Sequence, residues 1–188
     1  MNTAVSTNKN TCGREDYPCF SINFCTKKRY KNIKIIGRYV TPQKDVNIIR
    51  DINIFGDKDT VVTCGKKSFV RIPKKKSAKV TISNIRFHKF KKDPVIRIIG
   101  KTALKLVNCT FTGSTAAGVY LDVNAHGVTV KMQKTSFKNT GGYMILKEMN
   151  KRRRGKGRLV FILEDCDQFG SRFPDMLSLT SNRVVRTV

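Results

Sequence analysis

The 188-residue sequence contains few acidic residues and only two histidines. Thirteen Asp and Glu stand against 38 Lys and Arg, which gives a formal charge of +25. Glycoside hydrolases work with paired carboxylates, and calcium sites need several acidic ligands. Two histidines also give no basis for a Ser-His-Asp or Cys-His arrangement. We therefore expect no enzymatic activity and no cofactor.

A long apolar run is also missing. Lys or Arg interrupts each apolar stretch within a few residues, so we expect no membrane span. Residues 1–10 are polar and no apolar stretch follows them, which argues against a secretory signal. We therefore expect a protein that is intracellular and not secreted.

The six cysteines do not form a recognisable metal-binding pattern. Cys12, Cys19 and Cys25 are spaced too widely for a Cys-x-x-Cys knuckle, so a metal site is only an alternative to be kept in view. Cys109 and Cys166 fall at apolar positions, where a thiol acts as a small apolar filler. We expect reduced structural thiols and no bound metal.

Four short segments share one pattern: apolar, any, apolar, any, Asn or Asp, apolar. Alternation places the apolar members on one face of a strand, and the Asn or Asp bends the backbone after it. A unit that recurs in this way predicts a solenoid whose turns stack on one another. The segments are 47–52, 80–85, 104–109 and 161–166; they predict a structural ladder of Asp51, Asn84, Asn108 and Asp165, each followed by an aromatic residue, Phe55, Phe87, Phe111 or Phe169.

Other short apolar segments accompany these units. The stretch 33–38 is nearly repeated as 96–101, and similar runs occur at 69–72, 119–123, 144–146 and 177–179, with a degenerate unit at 128–137. Together they predict about six rungs of roughly 25–30 residues. A β-sandwich also has many short strands, but it gives no reason for Asn or Asp to recur at one position.

From about residue 33 to residue 179 the pattern resembles the right-handed parallel β-helix, the pectate-lyase-like fold. The resemblance implies an all-β, single-stranded solenoid, often with asparagines stacked inside one turn. The fold is used by polysaccharide lyases and hydrolases, by phage tailspikes and by viral structural proteins such as adenovirus-type cement proteins. Fold alone therefore does not choose a function.

The ends of the chain differ from the repeats. We expect an N-terminal arm and cap over 1–30, a β-helix domain over 31–180 and a C-terminal tail over 181–188. Phe20, Ile22 and Phe24 alternate and predict a first strand. The tail would cover the other end of the solenoid or add a strand to a partner, because terminal rungs expose unpaired edges.

The excess positive charge predicts an anionic partner. Basic clusters lie in the connections between the predicted strands, and two glycines in the densest run would let it adapt to a partner. No base-reading motif is present, so any nucleic-acid contact would be to phosphates and strongly salt-dependent. The predicted anion-binding or partner-binding residues are Lys74, Lys75, Lys76, Lys91, Lys92, Lys151, Arg152, Arg153, Arg154, Lys156 and Arg158.

These features predict a non-enzymatic structural protein, a minor capsid or cement component of a large DNA-virus particle. It would dock on the acidic surfaces of other capsid proteins and would be found in the virion. The alternative is a backbone-directed nucleic-acid-binding or scaffolding protein. A third alternative is a polysaccharide lyase or hydrolase, for which Asp122 with His126 and Gly127 is the best candidate surface.

Overall fold

A computed structural model describes residues 19, 21–138, 144–147, 159–169 and 183–187. The described strands pair in parallel and form three sheets, and each strand pairs with the strand one turn away rather than with its sequence neighbour. Sheet 1 contains β1 (Asn32–Ile35), β3 (Ile52–Gly56), β6 (Ser77–Ser83), β9 (Lys101–Val107), β12 (Val128–Gln133), β15 (Leu159–Glu164) and β17 (Arg183–Thr187). Sheet 2 contains β2 (Arg38–Val40), β4 (Val61–Thr63), β7 (Arg86–His88), β10 (Thr110–Thr112), β13 (Ser136–Lys138) and β16 (Asp167–Phe169). Sheet 3 contains β5 (Val70–Ile72), β8 (Ile96–Ile98), β11 (Val119–Leu121) and β14 (Ile145–Lys147).

The chain is therefore a β-solenoid, as the repeating pattern predicted, and the sandwich alternative is wrong. The number of rungs differs from the prediction. About four turns contribute a strand to all three sheets, rather than six, because sheet 3 has only four strands in the described part of the chain. Within the described residues, the additional rungs at either end contribute strands to sheets 1 and 2, and the apolar run predicted at 177–179 lies outside the described residues.

The core lies between the three sheets. The inward-facing residues of paired strands stack on one another in columns, and these columns fill the core. Its widest column is aromatic: Phe87 and Phe111 have ring centroids 4.9 Å apart, and Phe111 stacks on Phe137 at 4.4 Å and 6°. Phe69 extends this column at 5.1 Å from Phe87. Phe55, predicted as an equivalent aromatic, is only partly buried because it faces outward on β3.

The turn from sheet 1 to sheet 2 explains the recurring Asn or Asp. Asn84, Asn108 and Asp165 each follow a sheet 1 strand and have a positive φ, between 50° and 56°. Lys134 occupies the same place on the fourth turn with φ 48°. Asn tolerates this left-handed conformation because its short polar side chain can bond locally. The column lies on the outer surface, where Asn108 Nδ2 donates to Asn84 Oδ1 at 3.0 Å, and not inside a turn.

Asp51 does not belong to this column. It precedes β3, and its Oδ1 accepts a hydrogen bond from the Lys79 backbone N–H at 2.7 Å. Because Phe55 pairs with Ser83, the residue level with Asn84 is Gly56. A Cβ at Gly56 would lie 2.6 Å from the Asn84 carbonyl oxygen, so no side chain fits there.

The near-repeat of 33–38 at 96–101 is not a structural repeat. The first copy contains most of β1 of sheet 1, which is followed by a turn at Gly37 with φ +68°. The second forms β8 of sheet 3, and its Gly100 is buried beneath a neighbouring turn. Similar apolar alternation therefore supports two different sides of the solenoid.

The N-terminal end is covered by a helix, not by the strand predicted there. Helix α1 (Ile22–Lys27) is capped by Ser21, whose Oγ accepts from the Phe24 backbone N–H at 3.3 Å. Its buried residues, Ile22 and Cys25, join the solenoid core. No helix in the described residues is long and apolar enough to cross a bilayer.

At the other end, β17 pairs in parallel with β15 and so adds a seventh strand to sheet 1. Most of the segment predicted as a separate tail, 181–188, is thus part of the solenoid's own sheet.

The thiols are largely as expected. Cys25, Cys64, Cys109 and Cys166 are reduced thiols, but Cys19 is disulfide-bonded, which corrects the expectation for that residue. Cys109 is an apolar filler, 1% exposed, and burial raises the pKa of its thiol to about 11. The thiol is therefore protonated and unreactive at neutral pH.

Candidate anion-binding surface

The cationic connections predicted from the sequence lie at two different corners of the solenoid. Lys74, Lys75 and Lys76 join β5 to β6, at the corner between sheet 3 and sheet 1. Lys91 and Lys92 join β7 to β8, at the corner between sheet 2 and sheet 3. The two corners lie at the two ends of the sheet 3 strands, which are three residues, or about 10 Å, long.

The 3–1 lysine cluster consists of Lys74, Lys75, Lys76 and Lys101. Its turn closes through a hydrogen bond from Lys76 N to Pro73 O at 3.2 Å. Gly100 of the next turn lies directly against this turn, since a Cβ there would be 2.6 Å from the Lys76 carbonyl oxygen. Lys101 follows at once, so the absence of a side chain at Gly100 lets lysines of successive turns lie close together.

The 2–3 lysine cluster consists of six exposed residues on three successive turns: Lys44, Lys66, Lys67, Lys89, Lys91 and Lys92. The connections that carry them are bonded to each other across turns. Gly65 N donates to Thr41 Oγ1 at 2.7 Å. A second bond between turns joins the Lys91 backbone to the Cys64 thiol. Burial raises the pKa of this thiol, and the hydrogen bond from the Lys91 backbone partly offsets the rise.

The next connection supports this cluster from the other side. Phe90 N donates to Ser114 Oγ at 3.1 Å, and Thr115 Oγ1 donates to the Lys91 carbonyl oxygen at 3.1 Å. Ser114 is buried and Phe90 is fully buried, so the backbone beneath the lysines is fixed on both sides. Adjacent turns are about 4.8 Å apart, so the lysines form a closely spaced array on a rigid frame.

The acidic residues in these connections do not neutralise the lysines. Asp45 pairs with Arg71 at 3.1 Å, and Asp93 pairs with Arg97 at 3.3 Å. Both arginines lie on the outer face of sheet 3, where Arg97 also lies 5.0 Å from the centre of the Tyr120 ring. In the described part of the chain, no carboxylate forms an ion pair with a lysine of either cluster. Among the described residues, the lysines at both ends of the sheet 3 strands therefore have no carboxylate as an ion-pair partner.

The site residues predicted from the sequence did not include five lysines of the two clusters: Lys44, Lys66, Lys67, Lys89 and Lys101. The number of residues in one turn is a usable signal in the sequence, because Asn84 and Asn108, which stack on successive turns, are 24 residues apart. Lys66 and Lys67 precede Lys91 and Lys92 by nearly that length.

The densest predicted run lies outside the described residues. It comprises Lys151, Arg152, Arg153, Arg154, Lys156 and Arg158, and falls in the sequence between β14 and β15. Its role stays a prediction.

The outer face of sheet 1 is basic but partly neutralised. Lys131 Nζ lies 2.8 Å from Glu164 Oε1, and Gln133 Nε2 donates to the other Glu164 oxygen. These two hydrogen bonds, chiefly the one from Lys131, hold the pKa of Glu164 below its usual range. Lys131 on this face is therefore neutralised by a carboxylate, unlike the lysines of the two clusters.

The surface considered for catalysis is a structural turn. Asp122 Oδ1 accepts from both the backbone N–H and the side-chain amide of Asn124, at 2.9 and 2.8 Å. Asp122 lies beyond the end of β11, not on the strand. Among the described residues, no three His, Cys, Asp or Glu side chains are grouped closely enough to hold a metal ion.

Comparison of the chain with protein-family models, with curated proteins and with solved structures finds no significant match. The fold and the two lysine clusters are therefore the basis for a functional proposal.

Proposed function

We propose that this chain is a non-enzymatic structural protein that docks on acidic neighbours through the two lysine clusters, which lie at the two ends of the sheet 3 strands. The assembly we propose is a large DNA-virus particle, in which the chain acts as a minor capsid or cement component. The observation that carries this proposal is the pair of unneutralised lysine clusters on a hydrogen-bonded solenoid frame.

The physical argument rests on the position of the charge. Surface cations usually gain little from isolated ion pairs, because water and salt screen them. Ten lysines fixed at stacked corners present a multivalent array to a partner, so many weak contacts add together. An acidic protein surface that matched both corners would also be oriented by sheet 3 between them.

Lysine-reactive cross-linking of the intact assembly tests the proposal. We expect cross-links from Lys66, Lys67, Lys91 and Lys92 to acidic stretches of neighbouring structural proteins. The K66S/K67S/K91S/K92S variant should fold and yet be incorporated into particles at least about tenfold less, since several charge contacts are lost. The matched control is K31S/K58S/K105S/K138S, which removes four exposed lysines outside the clusters. Equal incorporation of the two variants would refute the proposal.

The second candidate function is binding to the phosphate backbone of nucleic acid. The observation that favours it is that the close spacing of lysines on successive turns suits a repeating polyanion. A phosphate binder should lose affinity for duplex DNA steeply as salt rises, and each lost phosphate contact should reduce the salt slope by about 1. For K74S/K75S/K76S we would then expect a slope reduced by about 3. An unchanged slope would exclude this candidate at the 3–1 cluster.

A further inference from the structure

Among the described strands, β2 is an edge strand of sheet 2 and pairs only with β4. On the paired side, Val61 N donates to Gly37 O and Thr41 N donates to Thr63 O, both at 3.0 Å. In a parallel strand, alternate residues point their backbone groups to opposite sides. The N–H and C=O groups of Arg38 and Val40 therefore point to the open edge, and the described residues offer them no partner.

The side chains around this edge are unusual for the molecule. The large hydrophobic residues that are exposed in the described part of the chain all lie within residues 30–49. Val40 of β2 is 62% exposed, and Ile36, two residues before the strand begins, is 51% exposed. An edge with free hydrogen-bonding groups and exposed apolar side chains can accept a further strand.

The charge around the edge selects the kind of strand. Arg38 is exposed on the outer face of β2, and Lys44 follows the strand. The acids nearest in sequence are already engaged: Asp45 pairs with Arg71, and Asp51 accepts a hydrogen bond from the Lys79 backbone N–H. A second copy of the chain would bring a charge of +25 against another +25, so self-association is opposed by repulsion.

We propose that the open edge of β2 binds an extended acidic and apolar segment of a partner protein as an added parallel strand. Paired residues in a parallel sheet share a face. The segment would therefore place Asp or Glu beside Arg38 and an apolar residue, two positions later, beside Val40. Lys44 of the 2–3 lysine cluster lies next to this site in the sequence, but strand addition at β2 does not depend on the function proposed for the clusters.

A short peptide with a central Glu-Thr-Val tests the site. With the full-length protein and saturating peptide, NMR hydrogen exchange should show the amides of Arg38 and Val40 protected at least about tenfold, because each gains a backbone acceptor. The control peptide has the same sequence with alternate backbone nitrogens methylated on the bonding edge. It keeps the charge and the side chains but cannot complete the strand, and should give no protection.

Two variants separate the backbone from the side chain. Val40→Pro removes the N–H that faces the open edge, where proline is tolerated, and should abolish peptide binding while leaving the unfolding midpoint nearly unchanged. Val40→Ala keeps the N–H and should weaken binding only a few-fold. Three results would each overturn the proposal: equal binding of the methylated peptide, full binding by Val40→Pro, or protection of both amides in peptide-free protein that sediments as a dimer.

Discussion

At the scale of single residues, the corner between sheets 1 and 2 depends on residues that accept a left-handed backbone. Three turns place Asn or Asp there, but the fourth places Lys134, with φ 48°. The Cβ of an L-residue in this conformation lies close to the following carbonyl oxygen, which costs roughly 1–2 kcal/mol, and Lys lacks the local hydrogen bonds by which Asn and Asp offset that cost. Lys134 is therefore a local weak point in an otherwise regular column.

We predict that Lys134→Asn stabilises the protein by about 0.5–1 kcal/mol. Asn relieves the backbone cost and would lie above Asn108, whose amide already donates to Asn84. Denaturant unfolding followed by circular dichroism measures the change. Lys138→Asn is the control, because it removes the same charge from an exposed strand end without positive φ. A Lys134→Asn protein no more stable than this control would contradict the argument.

At the scale of the element, each turn is held to the next through shared core columns. Phe111 lies between Phe87 and Phe137 and is 1% exposed, so its ring contacts the turns on both sides. Loss of that ring would leave a cavity that two neighbouring turns cannot close without moving.

We predict that Phe111→Ala lowers the free energy of unfolding by about 3–5 kcal/mol. Phe55→Ala, at an outward and partly exposed position, should cost less than about half as much. Thermal and denaturant unfolding of the two variants test the difference. Equal losses would mean that the aromatic column does not couple the turns.

The elements also show what the sequence could reveal. Alternation and the Asn or Asp that follows it identified β6, β9 and β15, because these strands have one buried face and end in the same turn. The method failed in the first turn, where Gly56 replaces Asn and the pattern was matched to Asp51 instead. Alternation also predicted a strand where helix α1 lies. The buried residues of this helix, Ile22 and Cys25, are three positions apart and so share one helical face, a spacing that the alternation of apolar residues does not reveal.

The candidate site was less accessible from the sequence than the fold. The basic connections could be located, but their grouping into two corners depends on how many residues each turn contains. That number varies: cross-turn partners are 24 residues apart at Asn84 and Asn108, 28 at Asp51 and Lys79, and 31 at Gln133 and Glu164. Such variation hides the register that brings Lys66 and Lys91 together.

At the scale of the whole molecule, charge repulsion opposes the compact state. The formal charge is +25, and the four ion pairs among the described residues neutralise few of the lysines. At 0.1 M salt, interactions between exposed charges that are more than about 10 Å apart are largely screened. The protein alone should therefore be more stable as salt is added.

We predict that the thermal midpoint rises as sodium chloride is increased from about 0.02 to 0.3 M, because screening reduces self-repulsion. The rise should be smaller for K74S/K75S/K76S, which carries three fewer positive charges at one corner. Scanning calorimetry at constant pH measures both. A midpoint that is independent of salt in the parent protein would show that the lysines are too far apart to destabilise it.

The in-register stacking of β6 on β9 has a consequence for how such a chain can change over generations. Residues 77–100 form one complete turn, and each strand in it meets a neighbour of the same kind above and below. Tandem duplication of the corresponding 24 codons would lengthen the rod by about 4.8 Å without requiring a new type of contact. It would also add a further copy of Lys89, Lys91 and Lys92 to the 2–3 lysine cluster, so the length of the rod and the number of cations in that cluster would grow together.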